Sequence, residues 1–405
     1  MSKSNVLTKI PITEIEQSAF CRTDELSVKP LEQELQSPVR WQPIPKQYLK
    51  LDESDLHNRI MSAKNKLGNR VVILGHHYQR DEVIRYADAT GDSFKLSQFS
   101  ALQKTSEFLI FCGVHFMAET ADILSSDFQK VILPNLTAGC SMADMADIDD
   151  VLDCWDDLTD IFGTDFIVPI TYMNSTASIK ALCGRNGGIV CTSSNAIDAF
   201  EWAFSKSPKI LFIPDQHLGR NTGVKMGVPV EDMLVWNPNK PLGGHTEESL
   251  QKAKIILWQG HCSVHTRFKL KQINAARQKY SDVKILVHPE CTLEVVDSAD
   301  MVGSTEYIIK AVNDASLGSV WAIGTEISLV NRLAKENPGK TVFSLDSVVC
   351  PCSTMYRIHP AYLSWILDQL CNDVVVNQIT VEPEMKLQAK LSLDRMLALK
   401  SKGVD

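Results

Sequence analysis

What this sequence of 405 residues lacks narrows its function before any motif is read. No apolar run approaches the ~18 residues needed to span a bilayer. The N-terminal stretch MSKSNVLTKIPITEIEQ lacks the continuous apolar segment of a secretory signal. The expectation is a soluble, cytoplasmic protein with no membrane partner. There is no excess of positive charge either: 41 Lys and Arg stand against 49 Asp and Glu, a net charge of −8 without a basic block, so a nucleic-acid phosphate backbone is excluded as a partner. No G-x-G-x-x-G occurs, which removes support for a dinucleotide site. The GKT at 339–341 has Ala334 where a phosphate loop needs glycine. The 11 cysteines are odd in number and scattered through a long chain, so a disulfide framework is not expected.

What is present is an ordinary globular composition, 44% hydrophobic and 22% charged, in a chain long enough for two to three domains. Pro30, Pro38, Pro43 and Pro45 break up residues 1–57, which read as an N-terminal extension with one short helix near Thr13–Phe20. From Val71 onward a pattern repeats: four or five apolar residues run into a polar, reactive cluster. Its instances begin near 71, 107, 130, 165, 187, 209, 253, 282, 319 and 340. Short continuous β-branched runs mark strands buried on both faces, and their alternation with helical segments implies parallel βαβ units. The runs fall into three groups, each closing on a cysteine: Cys140, Cys262 and Cys352. The expected fold is therefore α/β, with three similar domains of short parallel sheets flanked by helices. Their boundaries are 58–150 (joined by a C-terminal helix in 360–405), 151–265 and 266–359. Residues 219–250 are rich in glycine and proline and read as a long loop. Leu387, Leu391, Met396 and Leu397 have helical spacing and suggest a terminal helix packed on the body.

In open α/β sheets ligands bind beyond the carboxyl ends of strands. Those ends carry His76, Tyr78, Tyr172, Asn174, Ser193, Asp215, His288 and Glu290. In GHHYQR (75–80), one imidazole is expected against backbone, leaving His76 with Tyr78 as a proton-handling pair on one face of an extended strand end. In VHPEC (287–291), His288 and Glu290 share that spacing around Pro289. Glu290 capping the next helix is an equally good reading of this motif alone. TGDS (90–93), TYMNST (171–176), TSSNA (192–196) and GSTE (303–306) are hydroxyl- and amide-rich loops opening helices. Singly they are N-caps; together they suit a small anionic substrate. GHCSVH (260–265) invites zinc on His261, Cys262 and His265, but no second half of a structural zinc motif lies nearby. CPC (350–352) departs from the usual C-x-x-C redox spacing. One cysteine closing each region would instead suit an iron–sulfur cluster, which thiolates hold.

From about Leu74 to Ile358 the ordered motifs GHHYQ, TGDS, AGCSMAD, YMNSTA, TSSNA, PDQHLG, GHCSVH, HPE, GSTE and C-x-x-M resemble those of the quinolinate synthase family. The resemblance implies three similar domains around a pseudo-threefold axis with a central active site. It also implies condensation of iminoaspartate (iminosuccinate) with dihydroxyacetone phosphate to quinolinate, phosphate and water, in de novo NAD synthesis. It implies a [4Fe–4S] cluster held by Cys140, Cys262 and Cys352, the last favoured over Cys350 because C-x-x-M ends at Met355. Substrate contacts carried over are His76, Ser93, Tyr172, Asn174, Ser193, His288, Glu290 and Thr305, with Tyr78 as the active-site tyrosine. The pathway implies a functional link to an L-aspartate oxidase or dehydrogenase, and a homodimer is compatible with the sequence. Rival readings are a zinc-dependent hydrolase on His261, Cys262 and His265, and a non-catalytic iron–sulfur sensor. A sensor has no use for the Tyr, His, Glu and Asn set.

Overall fold

A computed structural model describes residues 12–23 and 29–399. It contains three sheets, and the order of strands within them repeats. In the first sheet β1 (Val71–His76), β2 (Ala89–Gly91), β3 (Phe108–Cys112) and β4 (Lys130–Ile132) run parallel in the order β2-β1-β3-β4. The second holds β5 (Ile167–Tyr172), β6 (Ile189–Cys191), β7 (Lys209–Ile213), β8 (Met233–Trp236) and β9 (Ile255–Trp258), in the order β6-β5-β7-β9-β8. The third holds β10 (Lys284–Val287), β11 (Met301–Val302), β12 (Val320–Gly324) and β13 (Thr341–Ser344), in the order β11-β10-β12-β13. A two-residue strand, β14 (Gln378–Ile379), adds antiparallel to β4. In each sheet, then, the first strand lies between the second and the third. Three α/β sheets flanked by helices are what the sequence implies.

The central strands are apolar on both faces because helices cover both. All residues of β1, β3, β5 and β9 are buried, and each fully covered Val, Leu or Ile contributes on the order of 2 kcal/mol. All ten apolar runs of the sequence contain a strand. The other four, β2, β8, β11 and β14, are short edge strands with half-buried or exposed residues, which carry little hydrophobic signal. The segment 219–250 is a correction to the expected long loop. It continues the helix Gln216–Lys225, forms β8, and ends in the helix Glu247–Lys252, whose N-cap Thr246 accepts from the Ser249 amide. Its glycines and prolines lie largely between these elements.

The chain divides into two compact units. Of the described residues, one comprises 12–23, 29–141, 326–332 and 347–381; the other comprises 142–325, 333–346 and 382–399. Within the first, the helix Pro360–Leu370 packs on the helix Glu53–Leu67. The helix Pro383–Ala398 belongs to the second and lies on the helix Ala177–Arg185, where Arg395 donates to the Gly184 carbonyl. Gly184 is required there, since a Cβ would sit 1.8 Å from the Gln388 carbonyl oxygen. The buried stripe is Ala389, Ser392, Leu393 and Met396, while Leu387 and Leu391, expected to face the body, are exposed. The buried face thus lies on Ala389, Ser392, Leu393 and Met396, and of the residues whose spacing suggested the packed face only Met396 is fully buried.

Residues ahead of β1 are knit into the first unit by buried charge. The helix Glu14–Ser18 carries Glu16, which accepts from Arg40 Nε at 2.9 Å and from Arg357 Nη2 at 3.4 Å. Glu34 takes both terminal nitrogens of Arg80, at 2.8 and 2.9 Å. Arg22 and Val349 exchange backbone hydrogen bonds in an antiparallel bridge, and beside it Cys21 and Cys350 form a disulfide. The sequence led to no expectation of a disulfide framework, and this single bond is the one disulfide among the described residues. A pairing across 329 residues leaves no spacing signal.

His359 fixes the start of Pro360–Leu370. Its Nδ1 accepts from the Ala361 amide and its Nε2–H donates to the Lys29 carbonyl at 2.9 Å, which defines the neutral ring. Burial, reinforced by Arg80 and opposed by Glu34 and Glu82, lowers its pKa from 6.5 to about 4. Below pH 6.5 the unfolded chain takes up a proton that the folded chain refuses. Stability is therefore lost as the pH falls from 6.5 towards 4, by roughly 3 kcal/mol for this group. The fall in melting temperature between about pH 7 and about pH 5 should be smaller in His359→Asn than in wild type; equal falls would contradict the assignment.

Candidate active site

Where strand order reverses between the first and third strands of a parallel sheet, the connections leave in opposite directions and open a crevice at the carboxyl ends. β1 ends at His76, β5 at Tyr172, and β10 at Val287, immediately before His288. The sequence-derived candidates therefore emerge at the switch point of each sheet.

In the first unit His76 pairs with Gly91 in the β1–β2 register, which places the Asp92–Ser93 turn beside it. Asp92 caps the helix Ser93–Leu102 by accepting from the Lys95 amide at 2.9 Å. The chain turns after His76, and the Tyr78 amide donates to His76 Nδ1 at 3.1 Å. The two rings lie 4.8 Å apart in a T-shaped arrangement. They meet through this turn and not by the expected alternation along an extended strand. His77 is held through its backbone, its amide donating to Gly91 and its carbonyl accepting from Arg332.

The second unit repeats the device. The Glu290 amide donates to His288 Nδ1 at 3.3 Å, just as Tyr78 does to His76. An Nδ1 that accepts a backbone hydrogen bond leaves the neutral ring with its proton on Nε2, so both imidazoles present an Nε2–H donor. Glu290 does not cap a helix, since the helix Leu293–Ser298 begins after Thr292. Its carboxylate accepts from His265 Nδ1 at 2.7 Å and from the Tyr172 hydroxyl. The other nitrogen of His265 meets the Thr325 hydroxyl at 3.2 Å, and its ring stacks on His288 at 4.4 Å. Burial alone would raise the Glu290 pKa, but His265, His288 and the two hydrogen bonds outweigh it and bring it down to about 2. Burial, then the neighbouring His265, lowers His288 to about 3, so it is neutral near pH 7. The site thus joins an ionised carboxylate, a neutral imidazole donor and a phenol. His265, which sets the carboxylate, stood in the sequence only as a zinc candidate.

The other candidates sit on braced loops. Lys180, fully buried, donates to the carbonyls of Met173 and Ser175 and so brackets Asn174. Nothing in the sequence distinguishes this lysine from a solvated one. Asn195 accepts from the Thr192 amide at 2.7 Å and fixes the turn carrying Ser193. Ser304 caps the helix whose first residue is the buried Thr305. Ser193 and Ser304 line one cavity of about 510 Å³ with Asn221, Lys225 and Tyr307. Lys340 of the GKT sequence caps a helix end, donating to the Val312 and Asn313 carbonyls. It has no phosphate-loop role.

The cysteines sort by environment. Cys112, Cys154, Cys183, Cys191 and Cys291 are buried, and burial pushes each thiol up, as expected of inert small hydrophobes. Cys350 is in the disulfide. Cys140, Cys262 and Cys352 are all partly exposed and lie outside it. Backbone N–H groups of two of them rest on buried carboxylates: Cys262 on Asp215 Oδ2 at 3.0 Å, Cys352 on Glu326 Oε1 at 3.2 Å. Cys371, also half-buried, spends its thiol on the Ala63 carbonyl. The donor set Cys262, His265 and Glu290, with ligand atoms within 4.8 Å of one another, could hold a metal ion; His261 is not part of it. Among the described residues no helix is long and apolar enough to cross a membrane.

Fold and site together define an α/β protein that carries proton-handling groups at the carboxyl ends of its strands. Comparison with known proteins makes this specific. The family model described as quinolinate synthetase A protein matches residues 58–398. The quinolinate synthase of Corynebacterium glutamicum is 56% identical over 360 residues, 89% of this chain and 91% of the relative. That of Herpetosiphon aurantiacus is 54% identical over 87% of this chain and 94% of its own, and that of Geobacillus thermodenitrificans 53% over 88% and 96%. The chain belongs to the quinolinate synthetase A family. It is an enzyme of NAD biosynthesis that makes quinolinate.

Replacing His265 by Gln keeps a donor towards Glu290 but removes the ring that outweighs its burial. The Glu290 pKa should then rise, and the acid limb of the pH–rate profile should move to higher pH; an unmoved limb would separate His265 from the carboxylate.

Proposed function

We propose that the chain condenses iminoaspartate with dihydroxyacetone phosphate to quinolinate, phosphate and water, with a [4Fe–4S] cluster held by Cys140, Cys262 and Cys352. The residues fit such a group. These three thiols are partly exposed and lie outside the disulfide, and two have braced backbones; five of the other cysteines are buried, Cys21 and Cys350 are paired, and Cys371 contacts the Ala63 carbonyl. Three protein thiolates leave one iron of a cubane without a protein ligand, and when bound that iron supplies Lewis-acid chemistry. The division of residues into three domains at 58–150, 151–265 and 266–359, around a central site, is part of the same reading.

The chain's own residues carry the rest. His76 and His288 present Nε2–H donors that orient substrate carboxylate or carbonyl oxygens. Glu290, ionised, is the base that removes a proton as the intermediate isomerises and dehydrates, and Tyr172 and His265 hold it in place. Tyr78 donates or recovers a proton on the other side, against the edge of the His76 ring. Ser193, Thr305 and Ser93, each at the opening of a helix, anchor phosphate or carboxylate through hydroxyl and amide groups, and Asn174 contacts the remaining polar edge. Iminoaspartate is unstable in water, so the reading implies functional linkage to an L-aspartate oxidase or dehydrogenase.

The observation that carries the proposal is the His288–Glu290–His265–Tyr172 assembly, which has no use in a sensor. Anaerobically purified enzyme given both substrates should form quinolinate. Tyr78→Phe should lose roughly 10²-fold or more in turnover with its chromophore intact, and unchanged turnover would refute its role. Cys262→Ser should lose both chromophore and activity. The second reading, a zinc site, is favoured by Cys262, His265 and Glu290 converging. It predicts zinc without iron or sulfide in the same preparation.

A further inference from the structure

The three sheets share a strand order, so the position two residues beyond each third strand is equivalent. After β7 it is Asp215 and after β12 it is Glu326. Both are buried, and both divide their oxygens in the same way. Asp215 stands before the helix Gln216–Lys225 and accepts from the His217 and Leu218 amides on Oδ1, at 2.6 and 3.0 Å. Its Oδ2 takes the Cys262 amide at 3.0 Å. Glu326 stands before the helix Ile327–Glu336 and accepts from the Ser328 and Leu329 amides on Oε2, at 2.7 and 3.4 Å. Its Oε1 takes the Cys352 amide at 3.2 Å and, unlike Asp215 Oδ2, also the Ser328 hydroxyl at 3.2 Å. After β3 the equivalent residue is Val114, which has no acceptor side chain. There the first residue of the following helix, His115, donates its own amide at 2.8 Å to Ala138, two residues before Cys140.

In all three repeats the helix after the third strand is therefore tied to the loop that delivers the cysteine. In two of them a carboxylate is the tie. A helix cap needs only one acceptor oxygen, so the second oxygen on the cysteine backbone is unexplained by capping. We propose that Asp215 and Glu326 are equivalent positioning residues, each clamping one cysteine to the helix N-terminus of its own repeat. They fix the backbone at each cysteine and with it the direction of Sγ. The proposal rests on the reading of Cys262 and Cys352 as cluster ligands. Its chemical consequence follows from geometry: an amide spent on a carboxylate cannot donate to the cluster sulfurs, and hydrogen bonds and net charge are what set a cluster's potential and lability.

Two pairs of variants separate clamp from cap. Asp215→Asn and Glu326→Gln retain size but replace one of the two acceptor oxygens by an amide nitrogen, which cannot accept. Asp215→Ser and Glu326→Ser retain an acceptor for the helix but cannot reach the cysteine. The full-length protein is reconstituted anaerobically, and iron and sulfide are counted after desalting and during timed exposure to air. The cluster-free protein is alkylated with N-ethylmaleimide, and the rate at each cysteine is read by peptide mass spectrometry. All four variants should lose cluster iron about 10-fold faster than wild type. Each should change the alkylation rate of its own cysteine, Cys262 or Cys352, and leave the other cysteine unchanged. The Ser variants should melt near the wild-type temperature. Wild-type retention and alkylation in the Ser variants would overturn the clamp. Iron retained in full by Cys262→Ser and Cys352→Ser would instead overturn the ligand reading, and the alkylation result would still decide the clamp.

Discussion

Everything in this molecule depends on the parallel strand buried on both faces. Such a strand spends its side chains on the two helix layers and its backbone on its neighbours, so only its carboxyl end is left for chemistry. β1, β5 and β10 each occupy the position between second and third strands, where the connections part, and each ends on or beside a side chain that can donate, accept or move a proton. The repeat supplies these ends three times over and varies what stands on them.

The variation is small and chemically directed. His76 and His288 use the same hydrogen bond, from an amide two residues on, to fix the same tautomer. The residue that donates it is a tyrosine in one repeat and a glutamate in the other, so a phenol and a carboxylate stand in related settings. Glu290 owes its ionised state to neighbours contributed by other loops of its own unit, His265 and Tyr172, because burial by itself would protonate it. A single sheet could not supply that environment.

Much of this was legible in the sequence, for identifiable reasons. Continuous apolar runs exposed ten of the strands, most of them well covered, and the polar clusters after them exposed the candidate residues. The ordered motifs pointed to the family that the comparisons establish. What escaped was set by contacts distant in the chain. β8 hides in a glycine-rich stretch because an edge strand needs little apolar surface. Lys180 looks like any surface lysine until its two carbonyl partners are seen. The Cys21–Cys350 pairing has no spacing rule, and the close contact at Gly184 with the Gln388 backbone cannot be read from leucine spacing. Asp215 and Glu326 differ in residue type and in local sequence, so only the common strand order makes them equivalent.

The proposed activity requires that three cysteines distant in sequence, Cys140, Cys262 and Cys352, hold one cubane iron–sulfur cluster. The most direct measurement is an iron and sulfide count on anaerobically purified protein, set beside single Cys140→Ser, Cys262→Ser and Cys352→Ser variants. The prediction is about four irons and four sulfides per wild-type chain and loss of the cubane in every variant. Zinc in place of iron, or a full iron and sulfide complement surviving any one of the three replacements, would contradict it.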